Sequence, residues 1–376
     1  MSQQIISGLG SISRLTGILE NKNAKNILLV TGKNSFFTSG AAKASESLFK
    51  RFNTVRFEDF EINPKLNDAI KGTEIARKNN IDTIVSIGGG SVIDITKLIL
   101  AFLAPGQDFE KIINGTIRPK TSNLNHISIP TTAGTGSEST HFAVVYSNKT
   151  KYSVSANFLV PEIVILDGML ILSNSSSQKA FNGLDALAQA IESHWACEST
   201  SKSKFFSRKA MPILFKKLPM IVSGKASKEE FQVFIEAANL AGQAINISKT
   251  TSPHAFSYTF TSKYSIPHGL AVWLTLPKIF EVHKNALTTN SKNIINYKEL
   301  ENSIEEIINL LGISEIDIAN DLKNFVLDLG LECRMEKIGL ETKAEKEQII
   351  KKVNFERLKN NPVLLTNENI CEIFNL

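Results

Sequence analysis

TIVSIGGGSVIDITK, residues 83–97, is the stretch that decides the fold. TIVSI is short, apolar and β-branched, as a fully buried strand is. It runs straight into three glycines and then into a segment with helical spacing. Glycine lets backbone approach a pyrophosphate closely, and the free N–H groups at a helix start attract it. The glycines do not follow the G-x-G-x-x-G spacing, and Lys97 lies too far into the helix to act as a P-loop lysine. Asp94, one turn in, can bond a ribose or a nicotinamide amide, or simply stabilise the helix start. A glycine turn made for tight packing is the competing reading.

Outward from this unit the same alternation repeats. Residues 26–30 (NILLV), 53–60 and 126–129 (HISI) read as strands, and residues 41–52, 66–79 and 92–102 as helices. A last short strand is expected around residues 160–166. This order predicts a parallel sheet covered by helices, an α/β Rossmann-like domain spanning residues 1–172. PTTAGTGSE, residues 130–138, follows the HISI strand and crowds Thr131, Thr132, Thr135 and Ser137 around two glycines. A hydroxyl-rich loop at the carboxyl end of a sheet is where such folds bind ligands; an exposed Ser/Thr loop is the alternative. After the turn-like SNSSS at residues 173–177 the pattern is almost wholly helical. Residues 173–376 are therefore expected to form an all-helical domain, with Thr366 as N-cap of its last helix.

The chain has 376 residues, 42% hydrophobic and 21% charged, enough for two domains with full cores. Its net charge of +5 is spread out, and the densest basic cluster, Lys202, Lys204, Arg208, Lys209, Lys216 and Lys217, reads as a solvated helix face rather than a nucleic-acid stripe. Cys197, Cys333 and Cys371 are few, odd in number and far apart, which fits a reducing, cytoplasmic setting better than a disulfide framework. No signal-peptide pattern or membrane-length apolar run is evident.

Two stretches of the helical half carry metal-type side chains. In NGLDALAQAIE, residues 182–192, Asp185 and Gln189 share one helix face among apolar neighbours. A carboxylate on a buried face needs a partner, either a cation or a nearby backbone group or lysine. In KTTSPHAFSYTFTSKYSIPHG, residues 249–269, His254 and His268 each follow a proline. Proline fixes φ and lacks an N–H, so each histidine is expected near a helix start, rigidly mounted as a metal ligand must be. Two polar surface histidines are the plainer reading.

GGGSVIDITK, PTTAGTGSE, GLDALAQAIES and PHAFSYTFTSKYSIPHG, in this order and spacing, resemble the iron-containing (type III) alcohol dehydrogenase family, as do Asn63-Pro64 and Asn361-Pro362. The resemblance covers nearly the whole chain. It implies a nucleotide-binding α/β domain, a helical domain, and a divalent metal (iron or zinc) between them. It places the metal aspartate on Asp185 and two metal histidines on His254 and His268. Cofactor contacts fall on Gly32, Asn63, Gly89, Gly90, Ser91, Asp94, Thr131, Thr132, Thr135 and Lys151. Two positions depart from the family. Gln189 stands where a third histidine is usual, and an amide oxygen is a weaker donor than imidazole. Tyr258 replaces a histidine often found four residues after the first, leaving Tyr258, a ribose hydroxyl or water to move the proton. Where many relatives that prefer NAD carry an acid, this chain has Gly32-Lys33-Asn34-Ser35, which permits NADP as well.

The reaction implied is reversible hydride transfer between a nicotinamide and a carbonyl carbon. Lys249-Thr250-Thr251-Ser252, polar where relatives acting on simple alcohols are apolar, suits a small anionic substrate. INISKTTSPHAFSY is most similar to the phosphonoacetaldehyde reductases (hydroxyethylphosphonate dehydrogenases), with Lys249 as the anion-reading residue. The resemblance also implies a homodimer. The alternatives are a general short-chain alcohol dehydrogenase and a dehydroquinate-synthase-like lyase.

Overall fold

The computed structural model describes residues 3–121, 124–148, 150–353 and 358–376. The chain divides into two compact units, Met1–Asn174 with Ser227–Asn239, and Ser175–Ala226 with Leu240–Leu376. The first unit thus takes in Ser227–Asn239, a segment whose helical pattern alone would put it with the second.

In the first unit, six strands form one parallel sheet: β1 (Gln4–Ser7), β2 (Asn26–Thr31), β3 (Asn53–Phe57), β4 (Thr83–Gly88), β5 (Asn125–Pro130) and β8 (Ile163–Leu166), in the order β1-β8-β5-β4-β2-β3. Ile27 and Leu29 of β2 face one hydrophobic cluster, while Leu28 and Val30 face another. Both faces of the sheet are covered, which is why its strands read as continuous apolar runs. The Gly90–Leu103 helix packs Ile95, Leu98, Ile99 and Phe102 into the second cluster. From β2 the chain steps outward to β3 and then returns to the other side of β2 as β4. That reversal puts the β2/β4 carboxyl ends at a topological switch point, the usual ligand crevice of such sheets.

Three strands escape the sequence reading. β1 is only four residues long and lies at the sheet edge, too short to show a period. β6 (Phe142–Ser147) and β7 (Thr150–Ser155) form a separate antiparallel hairpin. β3 stops at Phe57, short of the expected residue 60.

The described residues of the second unit are helical apart from loops and one isolated bridge, Ile294 with Val363. Its Ser176–Trp195 helix opens on a capping box between Ser175 and Gln178, and every residue from Gly183 to Trp195 is buried. A helix buried all round is the core of its unit. Pro253 lies in the first turn of the Ser252–Tyr264 helix, and Pro267 is the N-cap of His268–Trp273. Both histidines therefore sit at helix starts, as the proline mounts predict. Thr366 caps the Asn367–Phe374 helix, also as expected. The basic cluster is not uniformly solvated: Lys202, Arg208, Lys209 and Lys216 are exposed, but Lys204 is buried, bonded to Ser303 Oγ and paired with Glu299. No helix among the described residues is long and apolar enough to cross a membrane.

Candidate active site

In the first unit the nucleotide-type loops meet at the carboxyl ends of β2, β4 and β5. Gly89 is the N-cap of the Gly90–Leu103 helix and brings no side-chain cap. Four helices of the second unit carry full capping boxes instead. An uncapped helix start at the end of a central strand suits a phosphate ligand. The 131–135 loop closes over it. A Cβ on Gly90 would lie 2.8 Å from Thr135 Cγ2 and Oγ1, and one on Gly89 would lie 3.2 Å from Thr132 Cγ2. Tight packing and phosphate access thus both call for glycine here. Thr131 N–H donates to Gly88 O at 3.0 Å, while the buried Thr131 Oγ1 has no partner. Asn63, held at φ 64°, donates its N–H to Ser91 Oγ at 3.3 Å.

Asp94 is engaged inside the protein. It accepts from Ser137 Oγ (2.5 Å) and Val144 N–H (3.0 Å), with the charge of Lys151 acting on it from β7. These bonds tie the glycine helix to the 137–144 segment. Lys97, wholly buried, donates to Ser137 O (2.5 Å), Thr140 Oγ1 (3.0 Å) and Phe142 O (2.9 Å). Burial lowers its pKa to about 8, against the opposing charges of Asp94 and Glu138. Near Gly32, Arg56 Nη2 donates to the Gly32 carbonyl at 3.4 Å, and Lys33 pairs with Asp59 at 3.3 Å. Asp59, just beyond β3, is also paired with Lys71.

In the second unit, Asp185, His254 and His268 offer ligand atoms that all lie within 4.8 Å of one another. His254 Nε2 stands 3.2 Å from Asp185 Oδ1, and the two imidazole rings are 5.4 Å apart, edge to face. Asp185 (4% exposed) and His254 (5%) are buried; His268 is only partly buried, so the cluster opens on its side. Gln189 is 3% exposed, one turn from Asp185, and its Oε1 has no hydrogen-bond partner. Two imidazoles and a carboxylate, with an orphaned amide oxygen on the next helical turn, are a donor set that a divalent cation completes.

The electrostatics agree. Burial alone would lower the pKa of His254, but Glu192 and Asp185 outweigh it and raise the imidazole to about 9. For Asp185, burial pushes upward, yet the hydrogen bond from His254 and the charges of His268 and His254 bring it below its ordinary value. Without a metal, Glu192 and Asp185 hold a proton on His254, and a cation would take the place of that proton.

Its mounts are specific. A Cβ on Gly269 would fall 1.9 Å from Phe181 O and 3.0 Å from Asp185 N. Phe181 O and Asp185 N lie one helical turn apart, so Gly269 rests directly on the backbone that carries Asp185. Only glycine lets the His268 helix start so close. Ser257 Oγ donates to His254 O at 2.8 Å and lies 3.5 Å from His268 Nδ1. The ring of Tyr258 stacks on that of His268, 6.2 Å away and inclined by 15°.

Lys249 does not join this group. It occupies a left-handed turn (φ 59°), and its ammonium is held by Glu198 Oε2 at 2.9 Å, both side chains more than half exposed. Thr251 and Ser252 are also engaged, with Glu192 and with Asn361. In this structure the Lys249 ammonium points to Glu198 rather than to the Asp185–His254–His268 cluster. Glu192 and Gly269 are the residues the sequence reading missed. Glu192 stands two turns after Asp185, on the same face, so its spacing held the signal.

Residues 2–168 match the family model for iron-containing alcohol dehydrogenase, and residues 179–376 match the model for the C-terminal part of that family. Long-chain-alcohol dehydrogenase 1 of Geobacillus thermodenitrificans is 25% identical over 340 residues, covering 89% of this chain and 84% of the relative. The NAD-dependent methanol dehydrogenase of Bacillus methanolicus is 25% identical over 382 residues, 98% of this chain and 96% of the relative. The structure of sulfoacetaldehyde reductase from Bifidobacterium kashiwanohense in complex with NAD+ superposes with a TM-score of 0.89 at 26% identity, covering 99% of this chain and 96% of that one.

Proposed function

The chain belongs to the iron-containing alcohol dehydrogenase family and is an oxidoreductase; from that premise we propose that it reduces small aldehydes reversibly with NADH at a divalent metal centre. The observation that carries this reading is the Asp185–His254–His268 cluster, with the unpartnered Gln189 oxygen one helical turn from Asp185.

Asp185, His254 and His268 would hold the ion, with Gln189 Oε1 as a fourth donor. A bound divalent ion supplies Lewis-acid polarisation of the carbonyl and a bound nicotinamide supplies hydride. The chain's own residues do the rest. The uncapped N–H groups at Gly90 and Ser91 bind the pyrophosphate. Burial of Asp185 and His254 excludes bulk water, which strengthens every charge interaction there. The substrate enters on the open side, beside His268 and Tyr258, and Tyr258 is our candidate for protonating the product oxygen. NADH is preferred to NADPH in this reading. The Lys33 ammonium is shared with Asp59, which Lys71 also holds, and the likeness to a reductase solved with NAD+ is what favours NADH here. Iron is the ion implied by the family; the lone amide donor suits zinc as well.

A finer reading is favoured by the likeness to sulfoacetaldehyde reductase, which acts on an anionic two-carbon aldehyde. On this reading the substrate is an anionic aldehyde, phosphonoacetaldehyde giving 2-hydroxyethylphosphonate being our specific proposal. Lys249 lends it no support. The test is consumption of NADH and NADPH with phosphonoacetaldehyde, sulfoacetaldehyde and propanal, before and after chelation. Chelator-sensitive NADH oxidation is expected, with kcat/KM higher for the anions. Turnover that survives metal removal would contradict the function, and equal kcat/KM for propanal would contradict the finer reading.

A further inference from the structure

We infer that Glu192 is the positioning residue of the metal centre, keeping a proton on His254 Nδ1 so that Nε2, which donates to Asp185 in the metal-free chain, is the nitrogen that gives up its proton to a metal. The inference rests on the metal reading above.

The evidence is the direction of a hydrogen-bond chain. Trp195 Nε1–H can only donate, and it donates to Thr251 Oγ1 at 2.9 Å. With that oxygen used as acceptor, the Thr251 hydroxyl proton points to Glu192 Oε2, 2.9 Å away. The Thr251 backbone N–H, also donor-only, meets the same oxygen at 2.7 Å. One oxygen of Glu192 is thus committed to two donors. The other, Oε1, faces His254 Nδ1. A carboxylate has no proton to give, so Nδ1 must carry one, and in the neutral ring Nε2 is then the free lone pair. Nε2 is the atom 3.2 Å from Asp185 Oδ1. All groups of this chain are buried, so water does not compete for them.

Glutamine cannot replace this carboxylate. Its NH2 would face either Thr251, where donor meets donor, or His254 Nδ1. In the second case Nδ1 must become an acceptor, the proton moves to Nε2, and the lone pair that a metal needs is lost. Partners of this kind typically change metal affinity by about 10–100-fold.

The experiment is a Co2+ titration of the metal-free, folded chain, followed by its visible spectrum, for the wild type, Glu192→Gln and Thr251→Val. Thr251→Val removes the hydroxyl and orphans Trp195 but leaves the His254–Glu192 contact, so it controls for general damage to the network. Glu192→Gln is expected to bind Co2+ at least about 10-fold more weakly, with an altered spectrum; Thr251→Val is expected to lose stability but keep Co2+ affinity within about threefold. Equal weakening in both variants, or wild-type affinity in Glu192→Gln, overturns the inference while leaving the metal reading intact. A wild type that binds no Co2+ overturns the metal reading itself. Should Glu192→Gln not fold, side-chain 15N spectra of the Zn2+-loaded wild type decide the matter: a proton on His254 Nδ1 is expected, and one on Nε2 refutes the inference.

Discussion

Two buried charge clusters, one in each unit, use similar side chains and end in opposite states. In the first unit Lys97 is enclosed by Ser137, Thr140 and Phe142 oxygens, Asp94 by Ser137 and Val144, and Glu138 by Asn239. Burial prevails there: it lowers Lys97 to about 8 and raises Asp94 and Glu138 above their ordinary values. In the second unit the partners prevail over burial, raising His254 to about 9 and lowering Asp185. That cluster also leaves the Gln189 oxygen unpartnered. The first cluster closes on its own carbonyls and hydroxyls; the second gathers metal-type ligand atoms within 4.8 Å of one another and stays open on its His268 side, which marks it as the candidate ligand site.

The largest effect that should follow comes from breaking the closed cluster. Lys97→Met strands two buried carboxylates without their cation, a loss of about 3–5 kcal/mol in urea unfolding. Under conditions where the variant stays folded, Co2+ affinity should be unchanged; a large change would mean the clusters are not independent. Gly269→Ala attacks the open cluster without touching a ligand. The added Cβ must push the His268 helix away from Phe181 and Asp185. Overpacking of this kind costs about 1–3 kcal/mol, and metal affinity should fall well beyond that of a same-cost core substitution elsewhere in the unit.

The pH dependence of the metal-free protein sharpens the contrast, because the two histidine environments have opposite signs. His126, beside the closed cluster, is lowered from 6.5 to about 3 by burial and by the charge of Lys97. The unfolded chain takes up a proton there below about pH 6.5 that the folded chain refuses until about 3, so stability falls as pH drops through that window. His254 is raised from 6.5 to about 9, so its contribution is complete below about pH 6.5 and is lost as pH rises through 9. In unfolding free energies measured against pH, His126→Gln should flatten the acid limb and His254→Gln the alkaline limb. Swapped limbs would break the comparison. The smallest effect is that of Lys249→Met. An ion pair this exposed is worth under about 1 kcal/mol, and KM should shift alike for anionic and neutral aldehydes. A selective rise for the anion would restore Lys249 to the substrate site.

What the sequence made legible follows from where the chemistry lies. The α/β unit is built from short local signals, such as TIVSI before three glycines, and most of its sheet could be read directly. β1 and the β6–β7 hairpin could not, because a four-residue edge strand and a pleated pair outside the main sheet leave no distinctive period. Asp185, His254 and His268 were legible through helical spacing, proline mounts and family likeness. Glu192 shares the face of Asp185 in sequence, but its role, like that of Gly269, depends on which helices touch. The direction of Lys249 was not legible for the same reason: a lysine near a metal histidine in sequence can reach outward to Glu198. Asp94 and Lys97 likewise carry motif positions but spend their contacts on the 137–144 segment.

The central claim is that the open cluster is a metal centre. Its most direct test is metal stoichiometry after dialysis against Fe2+ or Zn2+, for the wild type and His268→Ala, with circular dichroism recorded on both. One ion per wild-type chain is expected, with the ion lost and the helical spectrum kept in His268→Ala. A wild type that retains no ion, or a His268→Ala protein that retains it fully, would contradict the account.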